Sequence, residues 1–254
     1  TSDFAIDSLV LNSATVPGYI NLQPDHSTFD GDETRQTFTL GWSATPLAGL
    51  DTKFYFNWQK MDNDGTDVTF CPSGASTCGG TFENDLWHYK KENVGLDLWY
   101  RIDRNNRIGG GYDYNHITQN RVDFDDTRSN TFWVEYKYTG MEGLGARLKY
   151  SYLDRSSDYL ESHAGVDAND PSYLLRFTRA FDLADLTQNR LKLTVDWAPA
   201  DNMGVAFEAI WKDNDYNDTT LGRTGDRRWE IFGNLTYGTP SSWRLNLFGD
   251  YESV

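Results

Sequence analysis

The sequence predicts an all-β protein, an antiparallel up-and-down transmembrane β-barrel, on three observations. Apolar and polar residues alternate with a period of two rather than 3.6. Several alternating runs approach ten residues, enough to cross a bilayer when tilted. Short connections alternate with long polar ones, the pattern of a barrel with tight turns on one side and loops on the other.

Composition agrees. Only 38% of the 254 residues are hydrophobic, yet 15% are aromatic, with 9 Trp, 15 Tyr and 14 Phe. So many rings do not suit a disordered chain. A low apolar average is what alternating faces produce, because each buried or lipid-facing residue has a polar neighbour. The net charge of −15 argues against a nucleic-acid surface, which needs a basic face. No run approaches the roughly 18 apolar residues of a spanning helix.

About eleven strands are expected. The first two, near 4–12 and 34–44, are weakly patterned. In the third, Phe54, Phe56 and Trp58 oppose Lys53, Tyr55, Asn57 and Gln59. Val94, Leu96, Leu98 and Tyr100 oppose Asn93, Gly95, Asp97 and Trp99. A weaker strand near 107–118 precedes Phe132, Val134, Tyr136 and Tyr138, which oppose Trp133, Glu135 and Lys137. Ala146, Leu148, Tyr150 and Tyr152 oppose Arg147, Lys149 and Ser151. Leu191, Leu193, Val195 and Trp197 oppose Lys192, Thr194 and Asp196. A strand near 203–212 precedes Trp229, Ile231, Leu235 and Tyr237, and the last places Leu245, Leu247 and Tyr251 on one face. The connections at 45–50, 103–106, 139–145, 199–202 and 239–242 are short; those at 62–86, 119–128, 155–188 and 213–227 are long. Phe177, Ala180, Phe181 and Ala184 within the third have helical spacing. No linker divides the chain, so residues 1–254 are expected to form one barrel domain or a segment of one.

An apolar ladder can pack against a second sheet or face lipid. Here aliphatic centres are flanked by Tyr or Trp at strand ends, as in the aromatic girdles of membrane barrels. The other face then lines a lumen, and its candidate residues are Lys53, Asp97, Glu135, Lys137, Arg147, Lys149, Lys192 and Asp196.

Cys71 and Cys78 bracket a short Gly- and Ser-containing loop, which predicts a local disulfide in an oxidising compartment. No catalytic constellation emerges: His26, His88, His116 and His163 are not at metal-ligand spacing, and Gly-x-Ser-x-Gly is absent. The chain is therefore expected not to be an enzyme. The runs 62–65 (DNDG) and 213–218 (DNDYND) alternate oxygen donors, but neither completes a calcium loop, so Ca2+ is weighed and solvated turns are favoured. Gly109-Gly110-Gly111 has no helix behind it to cradle phosphate and instead marks a sheet bend or a close approach of another body. The basic run 222–228 is expected to pair with nearby carboxylates.

Several longer phrases resemble the MtrB/PioB family of decahaem-associated outer-membrane proteins. They are 87–102 (WHYKKENVGLDLWYRI), 111–114 (GYDY) with 123–128 (DFDDTR), 146–155 (ARLKYSYLDR), 169–173 (NDPSY), 186–199 (LTQNRLKLTVDWAP), and 212–216 (KDNDY) through 221–228 (LGRTGDRR). The resemblance runs from about Asp51 to the end. It implies a bacterial outer-membrane barrel, larger than the eleven strands counted, that sheathes a periplasmic multihaem c-type cytochrome for extracellular electron transfer. An extracellular cytochrome can dock on its outer loops. Haem c then belongs to the partner, and this chain binds no cofactor itself. The eight lumen-facing residues become the expected cytochrome contacts, and the chain becomes a segment covering the middle and later strands of the barrel. Two other readings stay open: a stand-alone porin for small solutes, and a soluble carbohydrate-binding β-sandwich.

Overall fold

The computed structural model describes residues 2–5, 9–11, 20–72, 82–83, 86–120, 125–158, 184–217, 223–239 and 241–254. Among them every regular element is a strand. In chain order these are β1 (Ser2–Ala5), β2 (Leu9–Leu11), β3 (Ile20–Pro24), β4 (Thr28–Gly31), β5 (Glu33–Leu47), β6 (Leu50–Asn63), β7 (Thr69–Pro72) and β8 (Phe82–Glu83). There follow β9 (Tyr89–Arg101), β10 (Asn106–Gln119), β11 (Asp126–Met141), β12 (Leu144–Ser157), β13 (Leu186–Ala200), β14 (Met203–Tyr216), β15 (Gly225–Gly238) and β16 (Arg244–Ser253).

Ten strands form the main sheet in the order β5-β6-β9-β10-β11-β12-β13-β14-β15-β16, an up-and-down meander. By contacts the chain divides into two compact units. The first comprises 1–38, 59–90 and 119–121; the second comprises 39–58, 91–118 and 122–254. The first includes the short pairs β1·β4 and β2·β3·β7·β8. The second contains the antiparallel ladders from β10 to β16.

Ten of the eleven expected strands are the ten of this sheet. The expected strand near 4–12 is instead split: β1 pairs with β4, and β2 with β3. The observed strands are also longer than their alternating cores. β11 runs to 16 residues and β13 to 15. Backbone pairing continues past the point where both faces turn polar, and periodicity carries no signal there. Residues 159–183, where a helical spacing was noted, lie outside the described residues.

Register makes the two faces explicit. One row across six strands reads Tyr136, Leu148, Leu193, Ala209, Ile231 and Tyr251. The adjacent row reads Glu135, Lys149, Lys192, Ile210, Glu230 and Glu252. The apolar rows are not covered by protein: Trp42 is 56% exposed, Phe132 53% and Leu247 53%. A contiguous exposed apolar face of this extent is what a sheet turned toward lipid presents. Rings cluster toward both strand ends. Tyr237 and Trp243 meet edge-on at 5.6 Å near one end, and Trp211 and Trp229 lie 6.5 Å apart near the other.

The short turns explain one end of the sheet. Gly49 and Gly143 sit at φ 83° and 71° in the two-residue turns 48–49 and 142–143, a region L side chains rarely adopt. The β9–β10 turn is held by Asp103, whose Oδ1 accepts the backbone N–H groups of Asn105 (2.7 Å) and Asn106 (2.9 Å). The side-chain amide of Asn106 donates to both of its oxygens.

Two outcomes follow from this architecture. Leu193→Lys puts a charge in the middle of the apolar face and should cost about 2–4 kcal/mol, whereas Asn234→Lys on the opposite face should stay within about 0.5 kcal/mol. Urea unfolding in lipid vesicles measures both. At the turn, the Asn105 N–H and then the Asn106 amide hold the Asp103 carboxyl below the ordinary aspartate range. A depressed folded value makes the unfolded turn the better proton binder. The contribution is therefore complete above the ordinary aspartate pKa, near pH 4, and is lost as pH falls through the lower folded value. Amide exchange at Asn105 and Asn106 should accelerate in that acid window, and Asp103→Ala should abolish the dependence.

Candidate functional site

The polar face of the main sheet is the one surface that gathers the predicted residues. Strand alternation places Glu135 and Lys137 of β11, Arg147 and Lys149 of β12, and Lys192 and Asp196 of β13 on it together, as their register pairings require. Lys53 of β6 and Asp97 of β9 share it too. The Lys53 ammonium lies 5.3 Å from the Tyr55 ring, and Asp97 Oδ1 lies 2.8 Å from where a Cβ on Gly111 would sit.

The charges on this face pair mostly with neighbours. Lys137 meets Glu135 at 3.4 Å, Arg147 meets Asp196 at 3.6 Å, and Lys192 meets Glu208 at 2.8 Å. Further along, Glu230 accepts from Lys212 at 2.8 Å and forms an ion pair with Arg228 at 2.9 Å, and Arg228 reaches Glu252 at 2.6 Å. Arg107 pairs with Asp51. Half-exposed pairs of this kind contribute little stability each, but they fix side-chain positions on a wet surface.

Aromatic rings cover this face where glycines leave room. The Tyr55 ring covers Gly95 so closely that a Cβ there would collide with it. Its hydroxyl passes over β9 to donate to Asp113 Oδ2 at 2.7 Å, and Asn93 donates to the same oxygen at 2.8 Å. Trp99 covers Gly109 and Trp133 covers Gly111, each leaving only 2.5 Å to an added Cβ. The two indoles meet at 5.5 Å. Cations stack on them: Lys137 lies 3.8 Å and Arg107 5.2 Å from the Trp99 ring, and Lys149 lies 4.6 Å from the Trp133 ring. The Gly109–Gly111 run is thus a seat for the chain's own tryptophans.

Sequence reasoning missed Arg190 and the full row it begins. Arg190, Lys212 and Arg228 are register partners across β13, β14 and β15. The expected strand began at Leu191; extending its alternation one step back places Arg190 on the polar face. His116 lies between two carboxylates, with Nε2 2.5 Å from Asp126 and Nδ1 3.4 Å from Glu92. It shares the face of Tyr112 and Tyr114, beyond the apolar rows.

The oxygen-rich runs weighed for calcium are engaged by protein groups. Asp62 holds Lys60 at 2.8 Å, Asp213 holds Arg227 at 3.1 Å, and Asn214 bonds Gln188 and Asp226. Within the basic run, Arg223 pairs with Asp226 and Arg227 with Asp213. The proposed Cys71–Cys78 disulfide lies outside the described residues: Cys71 belongs to β7 by its backbone only.

Gly111→Val should displace the Trp133 ring at a cost of about 1–3 kcal/mol. The tryptophan emission maximum should shift with it, whereas Gly233→Ala, with open space above it, should leave both unchanged.

The family model described as outer membrane beta-barrel porin, MtrB/PioB, matches residues 7–254. A curated relative, "Outer membrane protein MtrB" of Shewanella baltica (strain OS185), is 25% identical over 155 residues, which cover 61% of this chain and 22% of the relative. The chain therefore spans about a fifth of that protein's length. Among solved structures, outer-membrane expressed OmpT of Vibrio cholerae aligns with a TM-score of 0.48 at 12% identity, covering 86% of this chain and 56% of that one. In-vitro folded OmpT of the same organism aligns with a TM-score of 0.44 at 10% identity, covering 96% and 88%.

Proposed function

This chain belongs to the MtrB/PioB family of outer-membrane β-barrel porins, and from that premise we propose that it helps to sheathe a multihaem c-type cytochrome for electron transfer across the outer membrane. One observation supports the reading above the rest. Opposite an exposed apolar face stands a face of paired charges and packed rings, suited to a hydrophilic protein filling a lumen. Lys53, Asp97, Glu135, Lys137, Arg147, Lys149, Lys192 and Asp196 are its lumenal contacts in this proposal.

The division of labour follows from chemistry. A c-type haem is attached through Cys-x-x-Cys-His, a motif absent from this sequence, so the redox centres belong to the partner. The barrel keeps lipid away from the polar conduit and orients it. The long connections that follow β6, β10, β12 and β14 in the chain would offer an extracellular cytochrome its docking surface. No step of catalysis is assigned to this chain.

A second reading, a small-solute porin, is favoured by the family's own description as a porin. The two separate on the full-length protein extracted from outer membranes in detergent. The sheath reading expects a co-purifying subunit with c-type haem absorbance and little single-channel conductance while that subunit is bound. A colourless preparation with a large open-channel conductance would reject it in favour of the porin.

A further inference from the structure

Pairing within the chain leaves one cluster on the polar face unbalanced. Lys149 and Lys192 are register partners, directly opposite on β12 and β13. Like charges so placed destabilise a ladder. Arg147 precedes Lys149 by two residues and Arg190 precedes Lys192 by two, so all four cations share the face. Arg147 pairs in register with Thr194, and Arg190 with Ser151. The four thus span three successive rows, about 13 Å along the strands and about 5 Å across them.

The carboxylates within reach do not cover this charge. Glu135, opposite Lys149, is engaged by Lys137; Asp196 takes Arg147, and Glu208 takes Lys192. Among the described residues Lys149 has only the Trp133 ring beneath it. Arg190 makes no ion pair there: Glu230, the carboxylate its charge reaches, is already taken by Lys212 and Arg228, and the Arg190 Nε is buried without a hydrogen-bond partner. The four side chains line a concavity of about 410 Å³ with hydroxyls from Thr131, Ser151 and Thr194 and one carboxylate, that of Glu135. A local excess of cations in a chain of net charge −15 runs against its composition.

We propose that Arg147, Lys149, Arg190 and Lys192 form a recognition strip for carboxylates on an acidic surface of the protein held in the lumen. The inference rests on the sheath function and names the partner's chemistry at that site. A single small anion would neutralise one end of a strip this long, whereas a row of protein carboxylates matches its length. Trp133 supplies the aromatic ring under Lys149, and the unmet charge of Lys149 and Arg190 is the part the partner satisfies.

The test uses the full-length protein purified with its haem-bearing subunit, as wild type and as Lys149→Gln/Arg190→Gln. Two quantities are read: the haem-to-barrel ratio through a salt wash, and the melting temperature of the barrel with and without the subunit. At about 0.15 M salt the variant should lose the subunit about tenfold more readily. Its empty barrel should melt higher than wild type because repulsion is relieved; a purely structural role for the cations would lower it. Should the double variant fail to assemble, Lys149→Met keeps the aliphatic stem over Trp133 and reads the same retention. Equal retention at every salt concentration overturns the strip while the wild-type complex still stands. A change confined to anion conductance, with retention intact, assigns the strip to small anions and also overturns the proposal. A wild-type barrel without any haem subunit rejects the sheath reading itself, and the strip with it.

Discussion

Backbone hydrogen bonding in hydrocarbon is the constraint on which the rest depends. Lipid offers no partner for an open N–H or C=O, so a chain that crosses it by strands must pair each with its neighbours. Pairing in a pleated ladder then sends successive side chains to opposite faces. The row from Tyr136 to Tyr251 and the row from Glu135 to Glu252 are the two sides of that single rule. A one-residue slip in any hairpin would exchange them, placing Lys149 in lipid and Leu148 in water. The register shifts near Tyr138/Met141 and Trp197/Ala200 are absorbed at the turn ends, leaving the alternation through the middle intact. The same constraint bears on β5 and β16, which stand at the two edges of the sheet order. Within a membrane the outer edge of each must be paired.

The polar face is organised as much by absence of side chains as by charge. Gly95, Gly109 and Gly111 let Tyr55, Trp99 and Trp133 lie down on the sheet instead of standing off it. Cations from Arg107, Lys137 and Lys149 settle on the indoles, so their charge is held near the wall at defined positions. A surface of fixed charges and covering rings suits contact with a hydrophilic body.

The β-strand content, the order of the ten main strands and the face of each alternating residue were legible in the sequence, because period-two patterning records directly which side of a sheet a residue occupies. Membership of the polar face was legible for Lys53 through Asp196 for the same reason. Strand lengths were not, since pairing extends through segments where both faces are polar and periodicity falls silent. Tertiary structure alone decided which charges stand opposite one another. That Lys149 meets Lys192, that Arg190 heads a cationic row, and that the three glycines seat aromatic rings from neighbouring strands depend on register between segments distant in sequence. His116 gives the same lesson, as its two carboxylates come from the strands on either side. Local alternation fixes a side; only the hydrogen-bonded alignment of one strand against the next fixes a neighbour.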